Sequence, residues 1–212
     1  MTTLCFVTFS PLSDIAPELT AVIPKSRFAS LAKLPIKKQK QSLLAEALVR
    51  LMLSELTDTP PEALQIVRTY GEKPRLTGFS LDFSLSHTDG AVAAICSDTP
   101  VGADIEVMRE PRLKAAKRYF TQNELDFAEA APDIHFWDLW TRKEALGKAR
   151  GTGLSRALSD EDTLLPPLSG KLCTDHFRNY AVSVYSEGLP CISYITEESL
   201  YKHHNEEGLI CH

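Results

Sequence analysis

Two acidic residues, Asp104 and Glu106, lie two positions apart in a short apolar segment that predicts a β-strand. Side chains at i and i+2 of a strand project from the same face, so both carboxylates point the same way while Ile105 faces the core. Two carboxylates this close repel each other unless a cation compensates them, and their hard oxygens suit Mg²⁺ or Mn²⁺. Alone, the pair could equally be a solvated strand face.

A third acid, Glu144, lies in a segment at 134–150 that predicts a helix. Lys148 follows it by one helical turn, and Gly151 and Gly153 provide the usual signal for a helix end. Taken alone, Glu144 and Lys148 could be an ordinary surface pair that contributes some tenths of a kcal/mol.

Two further polar segments come earlier in the chain. Ser86 and His87 close a predicted strand just before an Asp89-Gly90 hairpin turn, where polar groups can face phosphates or substrates. Lys73 lies in a turn that a following proline makes rigid. Each segment, by itself, is also typical of an ordinary turn.

The pattern of helices and strands predicts an α+β fold made of two halves, 1–100 and 101–212. The spacing of apolar residues predicts a long helix at 37–56, and further helices follow residue 111. Strands are predicted at 4–9, 64–70, 80–86, 91–97, 101–107, 180–185 and 191–195. From about residue 197 we expect a polar, loosely ordered tail.

Composition narrows the class of protein. The 212 residues carry a net charge of −5, which disfavours a nucleic-acid binder. No apolar run approaches the roughly 20 residues that span a bilayer, and the N-terminus lacks a signal-peptide pattern. Five scattered cysteines without a CxxC pair predict free thiols in a reducing compartment, so we expect a cytoplasmic protein.

Read in order, the four polar segments resemble the Sfp-type 4′-phosphopantetheinyl transferases, and the Trp140 to Gly153 segment resembles their Trp/Lys-Glu-Ala branch. The resemblance spans residues 71–154 and extends back to about residue 40. It implies a pseudo-dimer of two similar α+β halves with coenzyme A in the cleft between them. It also implies transfer of phosphopantetheine to a serine of an acyl or peptidyl carrier protein, with release of 3′,5′-ADP. A fused pseudo-dimer needs no second chain, so we expect a monomer.

The resemblance implies roles for individual residues. Asp104, Glu106 and Glu144 would hold Mg²⁺, with Mn²⁺ as an alternative, and Lys148 would contact phosphate. The coenzyme A phosphates would be bound by Ser86 and His87, and the adenosine 3′-phosphate by Lys73. Members of the family often have Gly-Lys-Pro where this chain inserts Glu72, which puts the reach of Lys73 in doubt.

Other assignments stay open at this point. Arg27 or Lys25 could complete the 3′-phosphate site, with Lys33 and Lys40 as alternatives. Glu124 matches a family glutamate and could take the proton of the acceptor serine. Its position three residues after Thr121 is also that of a capping box, in which case Glu106 or a water on the metal would be the base.

Two other functions share some of these features. One is a module that binds coenzyme A or a carrier without catalysis, and the other is a different Mg²⁺-dependent enzyme that cleaves phosphate esters. All three acids are present, which favours the transferase. The pattern does not choose among fatty-acid, polyketide and non-ribosomal peptide carriers.

Overall fold

Two β-sheets form the centre of the chain, in a computed structural model that describes residues 2–10, 13–111, 113–155, 158–206 and 209. The first sheet has the strand order β4-β5-β1-β9, with β1 at Thr2–Thr8, β4 at Asp82–Thr88, β5 at Ala91–Ser97 and β9 at Cys191–Thr196. The second has the order β6-β8-β7, with β6 at Gly102–Val107, β7 at Leu172–Phe177 and β8 at Tyr180–Tyr185. A small ribbon pairs β2 (Ile66–Val67) with β3 (Arg75–Leu76).

Seven α-helices occur in the described ranges: α1 (Pro17–Ala21), α2 (Lys25–Leu31), α3 (Ile36–Thr57), α4 (Leu113–Ala116), α5 (Gln122–Ala130), α6 (Pro132–Arg150) and α7 (Glu197–Glu206). The predicted α+β class is confirmed. The long helix predicted at 37–56 is confirmed as α3, which buries Leu44, Leu48 and Met52 in the core of the first sheet. The strand predicted at 64–70 shrinks to the two residues of β2.

Helix α6 packs against β6 and β8 of the second sheet. It ends at Gly151, whose backbone has a φ of 71°, so the predicted glycine cap is confirmed. Gly102 at the start of β6 lies so close to α6 that an added Cβ would stand 1.9 Å from the Ala145 carbonyl oxygen and 2.6 Å from the Ala149 nitrogen. This contact sets the distance between the strand of Asp104 and the helix of Glu144.

We therefore expect Gly102→Ala to lower the free energy of unfolding by about 1–3 kcal/mol, the usual cost of overpacking, because backbone atoms of α6 must move away. Urea unfolding measures the change. Gly170→Ala is the matched control, since a Cβ at Gly170 meets no atom within 4 Å. Equal stability of the two variants would contradict the close approach of β6 and α6.

The C-terminal part departs from the sequence prediction in one respect. The polar tail expected from about residue 197 is wrong, because Glu197–Glu206 forms α7 and Leu200 is fully buried in the core. Leu209 is buried there as well. Strand β9 also pairs with β1 in parallel, so the two predicted halves share the first sheet. Their division at residue 100 and the pseudo-dimer stay predictions.

The cysteines and helices bear on the predicted compartment. Cys5, Cys96 and Cys173 are free thiols, and burial raises the pKa of the Cys5 thiol to about 12. The prediction of a free thiol is wrong for Cys191, which is disulfide-bonded. Within the described ranges, none of the helices has the length and apolar character that crossing a membrane requires.

Candidate functional site

The edge strands β4 and β6 meet through hydroxyl groups rather than through a backbone ladder. Residues 84, 86 and 88 of β4 are all Ser or Thr and share one face because of the two-residue period of a strand. The Ser84 hydroxyl accepts a hydrogen bond from the Ala103 backbone N–H at 3.1 Å. The Ser86 hydroxyl donates to Oδ1 of Asp104 at 2.7 Å. Ser86 on β4 thus holds Asp104, the first acid of the predicted site, in position.

Thr88 holds the second acid in the same way. Its hydroxyl donates to Oε2 of Glu106 at 3.1 Å and accepts from the Val107 backbone N–H at 3.3 Å. The second bond orients the hydroxyl so that its proton faces the carboxylate. Thr88 is therefore a positioning residue for Glu106. Its role follows from the Ser-x-Ser-x-Thr alternation along β4, a signal that the sequence analysis did not use.

Helix α6 brings the remaining two groups to the same place. The Lys148 ammonium donates to Oδ1 of Asp104 at 2.6 Å. Oδ2 of Asp104 is buried and has no hydrogen-bond partner among the described residues. Glu144 lies one turn before Lys148 and interacts electrostatically with Asp104 and Glu106. The structure thus gathers the three predicted acids and Lys148.

The acids carry more negative charge than Lys148 alone can compensate. Burial, followed by the charge of Asp104, raises the pKa of the Glu144 carboxyl to about 7. The same two causes raise the pKa of Glu106 above its usual range. In the described part of the chain, no three His, Cys, Asp or Glu side chains are already arranged as a metal site. The unpaired Oδ2 and the all-oxygen donor set nevertheless fit a hard divalent cation.

The raised pKa of Glu144 predicts a pH-dependent stability in chelator. Because the folded protein binds this proton more tightly than the unfolded chain does, stability falls as the pH rises from about 4.5 to about 7 and then levels off. Relative to Glu144→Gln, the wild-type free energy of unfolding should drop by on the order of 3 kcal/mol across this window. Urea unfolding of both proteins at pH 5 and pH 8 tests this, and parallel curves would contradict it.

The positioning role of Thr88 predicts an effect on cation binding. Thr88→Val keeps the shape of the side chain but removes the hydroxyl, so Mn²⁺ affinity should fall by about 10- to 100-fold, as for other residues that orient metal ligands. Thr88→Ser should restore most of it, which a purely structural loss would not explain. Thr77→Val, which removes an exposed hydroxyl bonded to the Gln65 carbonyl, is the control. Wild-type Mn²⁺ affinity in Thr88→Val would refute the assignment.

Two cavities flank the acids. The smaller, of about 240 Å³, is lined by Lys73, Ser84 and Lys148 together with Gly151 and Gly153. The Lys73 ammonium pairs with the Asp82 carboxylate and donates to the Val101 carbonyl at 2.7 Å. Burial lowers the pKa of Lys73. The glycines that end α6 therefore also open space beside Lys73.

The larger cavity, of about 920 Å³, combines charged and aromatic groups, among them Lys38, His87, Glu106, Trp137 and Trp140. Burial and the nearby Lys38 charge lower the pKa of His87, which favours the neutral ring. Its buried Nδ1 has no hydrogen-bond partner among the described residues. The His87 side chain thus lines this cavity in its neutral form.

Glu124 is held away from the acids by internal bonds. Its side chain is fully buried, and Oε2 pairs with the Lys143 ammonium at 2.9 Å. Oε1 accepts from the Thr163 backbone N–H at 2.8 Å and from the Thr163 hydroxyl at 2.7 Å. The capping box with Thr121 is confirmed. These contacts favour a structural role for Glu124.

The N-terminal basic residues also lie elsewhere. Arg27 contacts Glu46 and lines a third cavity that shares no lining residue with the two beside the acids. Lys40 is buried, with hydrogen bonds to the Ser10 and Ser13 carbonyls and an ion pair to Glu197 at 3.1 Å. None of the described hydrogen bonds or ion pairs joins either side chain to Lys73, Ser86 or His87.

Comparison with known proteins agrees with the family resemblance of the sequence motifs. The family model "4′-phosphopantetheinyl transferase superfamily" matches residues 100–204. The 4′-phosphopantetheinyl transferase gsp of Aneurinibacillus migulanus is 34% identical over 123 residues, which cover 56% of this chain and 52% of that protein. The corresponding psf-1 of Bacillus pumilus is 35% identical over 126 residues, covering 57% and 54%. The chain thus spans about half the length of these two relatives.

A third relative is matched over more of its length. The 4′-phosphopantetheinyl transferase AcpT of Salmonella typhi is 36% identical over 156 residues, which cover 68% of this chain and 77% of that protein. The family match includes both β6 and α6, the elements that carry the three acids and Lys148. The resemblance to Sfp-type members is confirmed. This chain belongs to the 4′-phosphopantetheinyl transferase superfamily.

Proposed function

We propose that the chain transfers the 4′-phosphopantetheine group of coenzyme A to a serine of an acyl or peptidyl carrier protein, in a Mg²⁺-dependent reaction. The observation that carries the proposal is the convergence of Asp104, Glu106, Glu144 and Lys148 between two cavities. The names of the related transferases support the same reaction.

The chemistry accounts for this choice of residues. The serine oxygen forms a bond to the phosphorus of the phosphopantetheine group while the bond from that phosphorus to the bridging pyrophosphate oxygen breaks. The electron pair leaves with 3′,5′-ADP, and the serine proton passes to a base. Negative charge therefore accumulates on the 5′-phosphate of the leaving 3′,5′-ADP. A bound Mg²⁺ would stabilise that charge and orient the phosphates.

Asp104, Glu106 and Glu144 would hold the cation. The buried Oδ2 of Asp104, which lacks a partner in the described chain, is the best-placed oxygen because no existing bond must break. Ser86 and Thr88 keep Asp104 and Glu106 in position. Mn²⁺ could replace Mg²⁺, since carboxylate and phosphate oxygens suit both.

Positive and polar groups beside the acids would bind the phosphates of coenzyme A. Lys148, whose side chain is 26% exposed, would donate to phosphate and stabilise charge in the transition state. Lys73 uses two donors for Asp82 and Val101, and one of its three N–H groups is left for a phosphate. Ser86 and His87 would complete the contacts.

Glu144 would serve as the base, with Glu106 or a water on the cation as alternatives. In the cation-free protein the pKa of its carboxyl is raised to about 7, which makes it a stronger proton acceptor at neutral pH than an ordinary glutamate. The cavity of about 920 Å³ beside Glu106 and Trp140 offers an approach for the acceptor serine. Monomeric state and cytoplasmic location stay predictions from the sequence.

Mass spectrometry of an apo-carrier incubated with coenzyme A, Mg²⁺ and the full chain tests the proposal. The expected result is a gain of one phosphopantetheine mass, lost when EDTA replaces Mg²⁺. Fatty-acid, polyketide and peptide carriers should be assayed in parallel, because the structure does not choose among them. If none gains mass while the chain still binds coenzyme A, the non-catalytic binding module is correct instead.

A further inference from the structure

Three arginines surround one glutamate where α2, α3 and the segment after β2 meet. Glu46 and Arg50 are almost fully buried, with 2% and 3% of their side chains exposed. Arg27 and Arg68 are partly exposed, at 22% and 26%. These four residues, Arg27, Glu46, Arg50 and Arg68, form an arginine cluster with a net charge of +2 when all are ionised. The reaction proposed above assigns no role to the cluster.

The single carboxylate cannot satisfy the three guanidinium groups. Oε1 of Glu46 accepts from Nε of Arg50 at 2.8 Å, and Oε2 pairs with Arg68. Nε of Arg27 stands 3.5 Å from Oε2, is buried, and has no hydrogen-bond partner among the described residues. Arg50 places its remaining contacts on the Pro61 and Leu64 carbonyls. Arg27 also donates from Nη1 to the Ser30 hydroxyl at 3.2 Å, so its Nε–H and the N–H groups of Arg68 that do not contact Glu46 are left for another acceptor.

The charges of the cluster act on one another at close range. Burial lowers the pKa of the Arg27 guanidinium, and the adjacent Arg68 lowers it further, more than Glu46 raises it. An arginine remains protonated at neutral pH, so the repulsion persists rather than being relieved by loss of a proton. An external anion would supply the missing negative charge.

The cluster borders a cavity of about 260 Å³ that an anion could enter. Arg27, Arg68 and the hydroxyl-bearing Ser26 and Ser30 line it, while Ile66 forms an apolar wall. A guanidinium presents its N–H groups as a planar fork that matches the oxygens of a phosphate group. The Ser26 hydroxyl adds a neutral donor, whereas the Ser30 hydroxyl already donates to the Arg27 carbonyl at 2.7 Å. Glu46 also lines the cavity, but its two oxygens are occupied by Arg50 and Arg68.

We infer that this cavity is a second anion site, separate from the proposed coenzyme A site, which binds a small phosphate-type anion between Arg27 and Arg68. The separation rests on the cavity lining, which has no residue in common with the two cavities beside the acids. The anion is inorganic phosphate or the terminal phosphate of a small phosphomonoester. Binding would also tie α2 to the segment after β2 through the two arginines.

Calorimetric titration of the full chain with inorganic phosphate tests the site, at constant ionic strength and with coenzyme A present at saturation. We expect one phosphate to bind, and Arg68→Gln to raise its dissociation constant at least about tenfold, the usual order for a lost charge-assisted contact. Arg75→Gln, at an arginine that is 73% exposed and paired with Glu72, should leave binding unchanged. A parallel titration with O-phosphoserine shows whether the site takes a small phosphomonoester or only inorganic phosphate.

Three outcomes would overturn the inference. One is absence of phosphate binding under saturation with coenzyme A, and another is equal binding by Arg68→Gln and Arg75→Gln. The third is a loss of affinity for coenzyme A, but not for dephospho-coenzyme A, in Arg27→Gln, because the cluster would then belong to the 3′-phosphate site. Should Arg68→Gln not fold, Arg68→Lys keeps the charge without the fork and should weaken binding severalfold. None of these outcomes depends on transferase activity.

Discussion

A Glu144→Gln variant is expected to lose about 10²- to 10⁴-fold in kcat/KM for carrier loading while it stays folded. Glutamine has nearly the same shape but cannot take the serine proton, and it contributes no negative charge to the cation site. Glu144 has no described hydrogen bond or ion pair that the substitution would break, and removal of one charge relieves its repulsion with Asp104 and Glu106. Carrier loading with Mg²⁺ should therefore fall, whereas the free energy of unfolding measured at pH 8 in chelator should rise.

The measurement is carrier loading at saturating coenzyme A, with circular dichroism to confirm the fold and Mn²⁺ titration to report the cation. Glu129→Gln makes the same change at an exposed position of α5 and should match the wild type. A reduced rate together with unchanged Mn²⁺ affinity would assign Glu144 to proton transfer alone. A folded Glu144→Gln protein that loads carrier at the wild-type rate would contradict both the proton-transfer role and the cation-binding role of Glu144.

The sequence predicted the acids of this site more completely than the residues that support them. Asp104 and Glu106 were placed on one strand face by the two-residue period, and Glu144 and Lys148 on one helix face by the spacing of four. Those are local rules, and the structure follows them. What no local rule provides is that α6 crosses β6 closely enough to join the two faces. That meeting depends on Gly102, whose importance lies in long-range packing.

The predictions that failed or found no support concern residues whose positions depend on tertiary contacts, which local sequence patterns do not show. Glu197–Glu206 is mostly polar, which predicted a loosely ordered tail, yet Leu200 is buried in the core and the helix packs on β1 and α3. Arg27 was placed beside the phosphates because basic residues are interchangeable in a sequence. In the folded chain its partner is Glu46 on α3, a choice that tertiary structure makes.

Replacement of Lys143 by methionine is expected to lower the free energy of unfolding by about 3–5 kcal/mol, the usual cost of leaving a buried charge without its partner. Lys143 and Glu124 are both fully buried. The Lys143 ammonium also donates to the Leu158 carbonyl at 2.7 Å and to the Glu161 carbonyl. Loss of lysine therefore strands one carboxylate and two carbonyls, and removes two of the contacts between the 158–163 segment and α6.

Urea unfolding of Lys143→Met, Glu124→Gln and the double variant gives the coupling energy of the pair, and the double variant should cost clearly less than the sum of the single ones. Lys171→Met is the control, because its exposed pair with Glu187 should contribute nothing measurable. The same set also tests the open assignment of the base. If Glu124 is structural, the folded fraction of Glu124→Gln should load carrier within severalfold of the wild-type rate, whereas a general base would cost 10²-fold or more, roughly. Because Lys143 and Glu144 are neighbours on α6, one buried pair would then hold in place the helix whose next residue carries the chemistry.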